Sequence, residues 1–247
     1  MSWVFLFLLG LCVGSFLNCW VYRLNHGLSV MRGRSFCPKC RHQLAWLDNI
    51  PLISFVWLRG HCRYCHSPIA SYYPLVELAA GLLTILISQL SNYELLITGY
   101  YLLIAYALLA IFVSDWLYQT IPDQFVYPAI ILTGFYLLIT NYGLLITNLF
   151  SGLAAAGFFG ALVWLTKGKG MGLGDVKLAG LMGLILGWPR IALAIILAFL
   201  TGAIVGVILV LLNKKTMRSQ IAFGPFLIAA TFISLFWGEK IIKIWGY

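Results

Sequence analysis

Two aspartates are the residues of this chain that are best suited to chemistry. Asp115, in FVSDWLYQ, follows a long apolar run, and Asp175, in GLGDVKLAG, opens another. An ionisable group at membrane depth is costly, so its presence there indicates a function. Two carboxyl groups on different helices can share one proton, which leaves an acid beside a base near neutral pH. Such a pair can activate water against a peptide carbonyl, but it can equally relay protons in a transporter.

The residues around these aspartates indicate how the pair is held. Asp123, in IPDQF, stands near the start of a predicted helix, where a carboxylate caps the chain and interacts favourably with the helix dipole. Asp115 instead follows a helix, which is the wrong end of the dipole for a carboxylate. Gly172 and Gly174, just before Asp175, indicate backbone that bends or passes close to another segment.

Four of the six cysteines form two CxxC pairs, CPKC and CRYC. Two thiolates three positions apart fit one side of a tetrahedral zinc site, and a second pair completes it. We therefore predict that a structural zinc ion is bound by Cys37, Cys40, Cys62 and Cys65. Four sulfur ligands leave no open position for a substrate. Disulfides are the alternative, which a loop on the reducing side of a membrane disfavours.

The composition indicates that lipid surrounds most of the chain. Of 247 residues, 62% are hydrophobic and 9% are charged, and the mean hydropathy is +0.96. In lipid the backbone must satisfy its own hydrogen bonds, and the apolar runs are continuous rather than alternating, so helices are expected instead of a β-barrel. The formal charge of +9 lies in loops. We interpret it as a topology signal and not as a nucleic-acid-binding surface.

We predict an all-α polytopic membrane protein with about eight transmembrane helices and a small zinc-bound cytoplasmic loop module. The apolar segments are residues 3–22, 73–90, 94–114, 124–140, 143–166, 174–188, 191–212 and 221–238. A full span needs about 20 residues. Segment 174–188 is short by that measure, so it could be a helix that enters the bilayer without crossing it.

The basic residues predict the orientation of the chain. The first apolar run has no positive residue before it and no evident cleavage site, so we interpret it as a retained span with its N-terminus outside. Segments 23–72, 115–123, 167–173 and 213–220 then lie in the cytoplasm. Together with Lys177 at the inner end of its span, they hold every Lys and Arg except Arg190, Lys240 and Lys243. This distribution obeys the positive-inside rule.

Several short motifs follow one another along nearly the whole chain. They are GSFLNCWVYRL at 14–24, SFCPKC, LDNIPLISFVWLRGHCRYC and YYPLVEL within 35–78, DWLYQTIPD at 115–123, GLGDVKLAG at 172–180 and IAFGPFLI at 221–228. In this order they resemble the motifs of the type IV prepilin peptidases, the prepilin leader peptidase/N-methyltransferase family. GLGD resembles the GxGD motif that this family shares with other intramembrane aspartyl proteases.

The resemblance implies a peptidase of the bacterial cytoplasmic membrane. It implies that Asp115 and Asp175 are the catalytic pair that cuts the short basic leader from prepilins and pseudopilins on the cytoplasmic side. The residues expected to support this pair are Asp123, Gly172, Gly174 and Lys177.

The resemblance also implies a second activity. The new N-terminal residue of the substrate, usually phenylalanine, would be methylated with S-adenosylmethionine. In the family this activity is associated with the loop that is 23–72 here. That loop has no glycine-rich nucleotide motif. Gly60, in LRGHC, is the one candidate for close approach to the methyl donor.

Three domains and two competing functions follow from these predictions. Residues 1–22 would form the first transmembrane helix, 23–72 the zinc-binding loop with the methyltransferase part, and 73–247 the peptidase core. A proton-coupled transporter could use the same aspartates, but it usually has repeat symmetry, and no repeat is evident in this sequence. A non-catalytic scaffold whose zinc loop recruits a cytoplasmic partner is the other alternative.

Overall fold

The computed structural model describes residues 3–30, 32–92, 94–168, 170–213 and 221–244. Within these ranges the chain is helical, and the extended pairings are two isolated antiparallel bridges, Phe36–Gln43 and His61–Pro68. In chain order the helices are α1 (Trp3–Asn25), a 3-10 helix (Trp46–Asn49), α2 (Ile53–Trp57), α3 (Tyr72–Leu90), α4 (Leu95–Tyr118), α5 (Asp123–Thr140), α6 (Tyr142–Leu165), α7 (Leu173–Leu186), α8 (Arg190–Leu211) and α9 (Gly224–Ile244). The prediction of an all-α protein is confirmed.

Seven of the described helices are long and apolar enough to cross a membrane, namely α1, α3, α4, α5, α6, α8 and α9. The remaining predicted segment, 174–188, corresponds to α7, which has 14 residues. At a rise of 1.5 Å per residue, a helix of this length falls short of a hydrocarbon layer about 30 Å thick. The chain is thus a multi-pass membrane protein, with seven candidate spans and the shorter α7 among its described helices.

The orientation of the spans stays a prediction. Four of the basic residues on which it depends lie outside the described residues: Lys169, Lys214, Lys215 and Arg218.

The chain divides into two compact units, residues 1–113 and 114–247. In the first unit, α1 packs against α3. The side chains at this contact are small, and Gly10 and Gly14 of α1 lie against Ala80 of α3. The polar loop between the two helices carries the 3-10 helix, α2 and both CxxC pairs.

In the second unit, α7 is surrounded by other helices. It contacts α5, α6, α8 and α9, and most of its residues are buried. A helix packed on all sides needs apolar residues on all sides, which explains the continuous apolar run after Asp175. The closest approach is to α6, where a Cβ added to Gly183 would lie 2.5 Å from the Cα of Gly152. Small residues allow this backbone-to-backbone contact.

Candidate functional site

Asp115 lies near the end of α4 and is 5% exposed. Its Oδ2 accepts a buried hydrogen bond of 2.9 Å from the backbone N–H of Gly224. Gly224 is the first residue of α9, so the carboxyl group lies at the positive end of that helix dipole. Asp115 is therefore placed unfavourably for its own helix and favourably for another helix of the same unit.

Gly224 is a site residue whose role the sequence analysis missed. A Cβ at this position would lie 2.6 Å from Oδ2 of Asp115 and 3.0 Å from its Cγ, so any larger residue would displace the carboxyl group. The preceding Phe223 packs against Phe199, with 5.1 Å between the ring centroids, and anchors the start of α9. The FGP motif was visible in the sequence, but nothing local linked it to an aspartate.

Asp175 lies at the start of α7 and is 8% exposed. Its Oδ2 accepts a hydrogen bond of 3.1 Å from the backbone N–H of Gly172, the residue before the helix. This is half of the reciprocal capping arrangement found at many helix starts. Gly174 allows a close contact, because an added Cβ would lie 3.0 Å from the Cβ of Ile121.

The two aspartates form one buried site within the second unit. Their carboxyl groups are close enough for their charges to interact. Within the described part of the chain, no basic side chain forms an ion pair with either of them. Burying two uncompensated charges together is costly, and one shared proton removes most of that cost. The geometry suits an acid beside a base.

The predicted supporting residues Asp123 and Lys177 form an ion pair. The Nζ of Lys177 lies 2.7 Å from Oδ1 of Asp123 and 5.4 Å from the ring centroid of Tyr127. The pair joins the first residue of α5 to α7 near Asp175. The Asp123 side chain is 53% exposed, so the pair contributes more to position than to stability.

The four loop cysteines lie together in the first unit. Their sulfur atoms are all within 4.8 Å of one another, and the sulfurs of Cys37 and Cys65 are 3.9 Å apart. Tetrahedral zinc with bonds of about 2.3 Å requires sulfur–sulfur distances of about 3.8 Å. A disulfide requires about 2.05 Å, and all the cysteines are free. The cluster can therefore hold one metal ion such as zinc.

The two CxxC segments share one backbone conformation. In each, the first cysteine donates its N–H to the carbonyl five residues later and accepts from the N–H four residues later. That fourth residue, Arg41 or His66, has a positive φ in both. The sulfur of Cys65 and the hydroxyl of Ser67 form a hydrogen bond of 3.2 Å, and the side-chain and backbone hydrogen bonds of Ser67 lower the pKa of that thiol to about 6. A lowered pKa favours the thiolate that binds a metal.

The conformation of Gly60 has a local explanation. Its φ of 71° lies in the left-handed region that glycine adopts most readily. Its carbonyl accepts a hydrogen bond of 2.7 Å from Ile69, as the carbonyl of Ser35 accepts one of 2.8 Å from Leu44. Gly60 thus closes the second CxxC segment, and its contact with a methyl donor stays a prediction.

A cavity lies in the first unit between α1, α3 and the cysteine loop. Helix α1 contributes Asn18 and Tyr22, and α3 contributes Tyr73 and Glu77. Other lining residues come from the loop: Phe36, Cys37, Asp48, Phe55, Cys62 and Arg63. Two of these are cysteines of the metal cluster, so a bound metal would also fix one wall of the cavity.

Comparison with known proteins agrees with this architecture. Residues 8–90 match the bacterial peptidase A24 N-terminal domain, and residues 102–207 match the type IV leader peptidase family. No solved structure matches the chain.

Several similar proteins carry the name prepilin leader peptidase/N-methyltransferase. The one from Aeromonas hydrophila is 34% identical, with 96% of this chain and 91% of the relative aligned. The one from Pseudomonas aeruginosa is 36% identical over 96% of this chain and 90% of the relative. The one from Burkholderia pseudomallei strain K96243 is 30% identical over 100% of this chain and 89% of the relative. The chain therefore belongs to the prepilin leader peptidase/N-methyltransferase family, and the predictions of this family and of a membrane-embedded enzyme are confirmed.

Proposed function

We propose that this enzyme removes the short basic leader of prepilins and pseudopilins and then methylates the new N-terminal residue. The names of its relatives support both activities. One observation carries the peptidase half: Asp115 and Asp175 are buried together, their charges interact, and neither pairs with a basic side chain among the described residues.

The two aspartates divide acid and base catalysis between them. The ionised carboxylate takes a proton from water as the water oxygen attacks the peptide carbonyl carbon, and the protonated carboxyl gives its proton to the carbonyl oxygen. The C–N bond then breaks. The leaving amine takes the proton that came from water, and the other carboxyl regains a proton from the collapsing diol. The pair ends with one proton, as it began.

The backbone contacts suit this mechanism. Gly224 holds Oδ2 of Asp115, and Gly172 holds Oδ2 of Asp175. Each contact leaves Oδ1 of its carboxyl group for water and substrate. Groups held by the backbone need little reorganisation during the reaction.

We assign the loop 23–72 to the methyltransferase half, and the two catalytic aspartates of the peptidase half lie within 73–247. The amine would first lose a proton to water, and S-adenosylmethionine would then supply the methyl group, so that an N–C bond forms as the S–C bond breaks and S-adenosylhomocysteine leaves. Zinc held by Cys37, Cys40, Cys62 and Cys65 would order the loop, and its four sulfur ligands would leave no open position for a substrate. The compact cysteine cluster supports this structural role.

We place the loop and both aspartates at the cytoplasmic face of the bacterial inner membrane, with the N-terminus outside. A short leader ends close to the membrane surface, so its cleavage site must be reached there. Asp115 near the end of α4 and Asp175 at the start of α7 suit such a position.

The test is cleavage of a purified prepilin by the purified enzyme, read as loss of leader mass. In Asp115→Asn and Asp175→Asn we expect the rate to fall by at least about 100-fold, because each variant removes the acid–base partner of the other residue. Glu239→Gln is the matched control, because it removes an exposed carboxylate that pairs with Arg190 in the same unit.

Full processing by either folded aspartate variant would refute the catalytic pair. A wild-type enzyme that leaves prepilin intact, but moves protons across vesicles through Asp115 and Asp175, would favour the transporter. Adding S-adenosylmethionine and reading a methyl mass tests the second activity in the same reaction.

A further inference from the structure

The cavity of the first unit contains a buried polar atom without a partner. Asn18 is 4% exposed, and its Nδ2 donates a hydrogen bond of 3.0 Å to the carbonyl of Tyr73. That bond fixes the orientation of the amide, because a carbonyl can accept only from the nitrogen. Oδ1 is buried and has no donor in the described structure, and Asn18 is one of the residues that line the cavity. Buried polar atoms normally have partners, and because Asn18, unlike Ser88, lines the cavity, a ligand there that donates a hydrogen bond would supply one.

A second acceptor lines the same cavity from α3. Glu77 is 9% exposed, and its Oε2 accepts a hydrogen bond of 2.9 Å from the backbone N–H of Leu52. In the described part of the chain, no lysine, arginine or histidine forms an ion pair with Glu77. A buried carboxylate in this position is best compensated by a cation, which the cavity could receive as part of a ligand.

The basic residues that line the cavity are already engaged. Arg23 donates to five backbone carbonyls, those of Ser29, Val30, Arg32, Gly33 and Arg34. Arg63 pairs with Asp48 at 2.7 Å. These two basic groups therefore leave no free cation for an anionic ligand, and aromatic rings also line the cavity: Tyr22, Phe36, Phe55 and Tyr73.

We infer that this cavity binds the methyl donor, S-adenosylmethionine, with Glu77 and Asn18 as its principal polar contacts. This inference rests on the proposed methyltransferase activity. The donor carries a sulfonium and an ammonium, which suit the Glu77 carboxylate and the aromatic faces. Its ammonium and ribose hydroxyls can donate to Oδ1 of Asn18, and its purine can pack against the rings.

The cavity fits the donor better than it fits the amine that receives the methyl group. Acceptors stand on two helices: Asn18 on α1, whose Oδ1 has no donor in the described structure, and Glu77 on α3, which forms no ion pair there. S-adenosylmethionine carries two cationic centres and several hydrogen-bond donors, so it can bind Asn18 and Glu77 at the same time. The new N-terminus of a cleaved substrate offers a single cation, so it could bind only one of these two residues.

Direct binding by the full-length enzyme in detergent tests the inference. The ligands are S-adenosylmethionine, whose sulfur is charged, and S-adenosylhomocysteine, whose sulfur is neutral, each without peptide. We expect Glu77→Gln to raise Kd for S-adenosylmethionine by about tenfold or more, and to raise it less for S-adenosylhomocysteine. Asn18→Leu removes a hydrogen-bond acceptor, so it should weaken both ligands by a similar factor of about five to ten.

Ser88→Ala is the matched control. Ser88 lies on α3 with Glu77, and its buried hydroxyl also lacks a partner in the described structure, but it does not line the cavity. We expect its Kd values to equal those of the wild type. Zinc content and thermal unfolding establish that each variant is folded.

The possible outcomes distinguish an error in the location of the methyl-donor site from the absence of methyltransferase activity. A wild-type enzyme that methylates, while both folded variants bind both ligands normally, would overturn the cavity assignment and leave the methyltransferase proposal standing. Normal ligand binding with a raised KM for the peptide would assign the cavity to the accepting amine and also overturn the inference. A wild-type enzyme that neither binds the donor nor methylates would refute the proposed activity itself.

Discussion

At the scale of single residues, one backbone N–H at the start of a helix holds each aspartate. For Asp175 the donor is Gly172, three residues earlier, and such a local capping pattern can be predicted from the sequence. For Asp115 the donor is Gly224, which is 109 residues away. Both aspartates could be predicted from their place at the ends of apolar runs. The partner of Asp115 could not, because the contact depends on how α4 and α9 meet.

Replacing Gly224 by alanine should damage catalysis more than folding. The added Cβ would lie 2.6 Å from Oδ2 of Asp115, so the carboxyl group must move. A displacement of about 1 Å in a catalytic group can lower a rate by about 100-fold. We expect Gly224→Ala to reduce leader removal by about 10- to 100-fold, measured by mass spectrometry of a prepilin substrate.

Gly157→Ala provides the comparison for this variant. Gly157 lies in α6 of the same unit, and an added Cβ there would meet no atom within 4 Å. It should cleave at the wild-type rate. If Gly224→Ala is folded and cleaves equally fast, Gly224 does not position Asp115.

At the scale of elements, α7 combines a short length with a mostly buried set of side chains. It has 14 residues and contacts four other helices. Its apolar run looked like a possible eighth span, because a helix surrounded by lipid and a helix surrounded by other helices both need apolar side chains. The length of the run was the clue that it differs from the other spans. Its packing partners depend on the tertiary structure.

The contact between α6 and α7 should be sensitive to one methyl group. A Cβ at Gly183 would lie 2.5 Å from the Cα of Gly152 and 2.6 Å from the carbonyl of Ser151. Backbone atoms cannot rotate away as a side chain can. We expect Gly183→Ala to lower the free energy of unfolding by about 1–3 kcal/mol, measured by denaturation in mixed detergent micelles.

The control for this prediction is Gly134→Ala in α5. The new Cβ would have no atom within 4 Å, so the free energy of unfolding should stay the same or rise slightly. Equal stabilities for Gly183→Ala and the wild type would mean that α6 and α7 can separate without cost.

At the scale of the whole molecule, the two candidate sites belong to different units. The aspartates lie in residues 114–247, and the cysteine cluster and the cavity lie in residues 1–113. Each unit has its own packed helices. Loss of the metal should therefore affect the two proposed activities unequally.

Removing zinc should abolish methylation before it abolishes cleavage. Metal binding and folding of a small cysteine-rich loop are coupled, and Cys37 and Cys62 line the cavity. We expect a strong chelator, or Cys37→Ser, to remove the bound zinc and the methyl transfer, and to slow leader removal much less. Zinc content by mass spectrometry and both product masses would be measured on the same sample.

Cys12→Ser is the control for the cysteine variant, because Cys12 lies in α1 outside the cluster. Its zinc content should equal that of the wild type. Undiminished zinc and methylation in Cys37→Ser would contradict a site with four cysteine ligands.

Local patterns in the sequence determined the kind of protein and the residues that could do chemistry. Continuous apolar runs require helices in lipid, and two CxxC pairs predict a metal site. Asp115 and Asp175 lie at the ends of apolar runs, where an ionisable side chain is costly and so indicates a function. The tertiary structure decided which groups meet: Gly224 with Asp115, and Asn18 with Glu77 around one cavity. These contacts join residues far apart in the chain, and they arise from packing between helices, which no local spacing specifies.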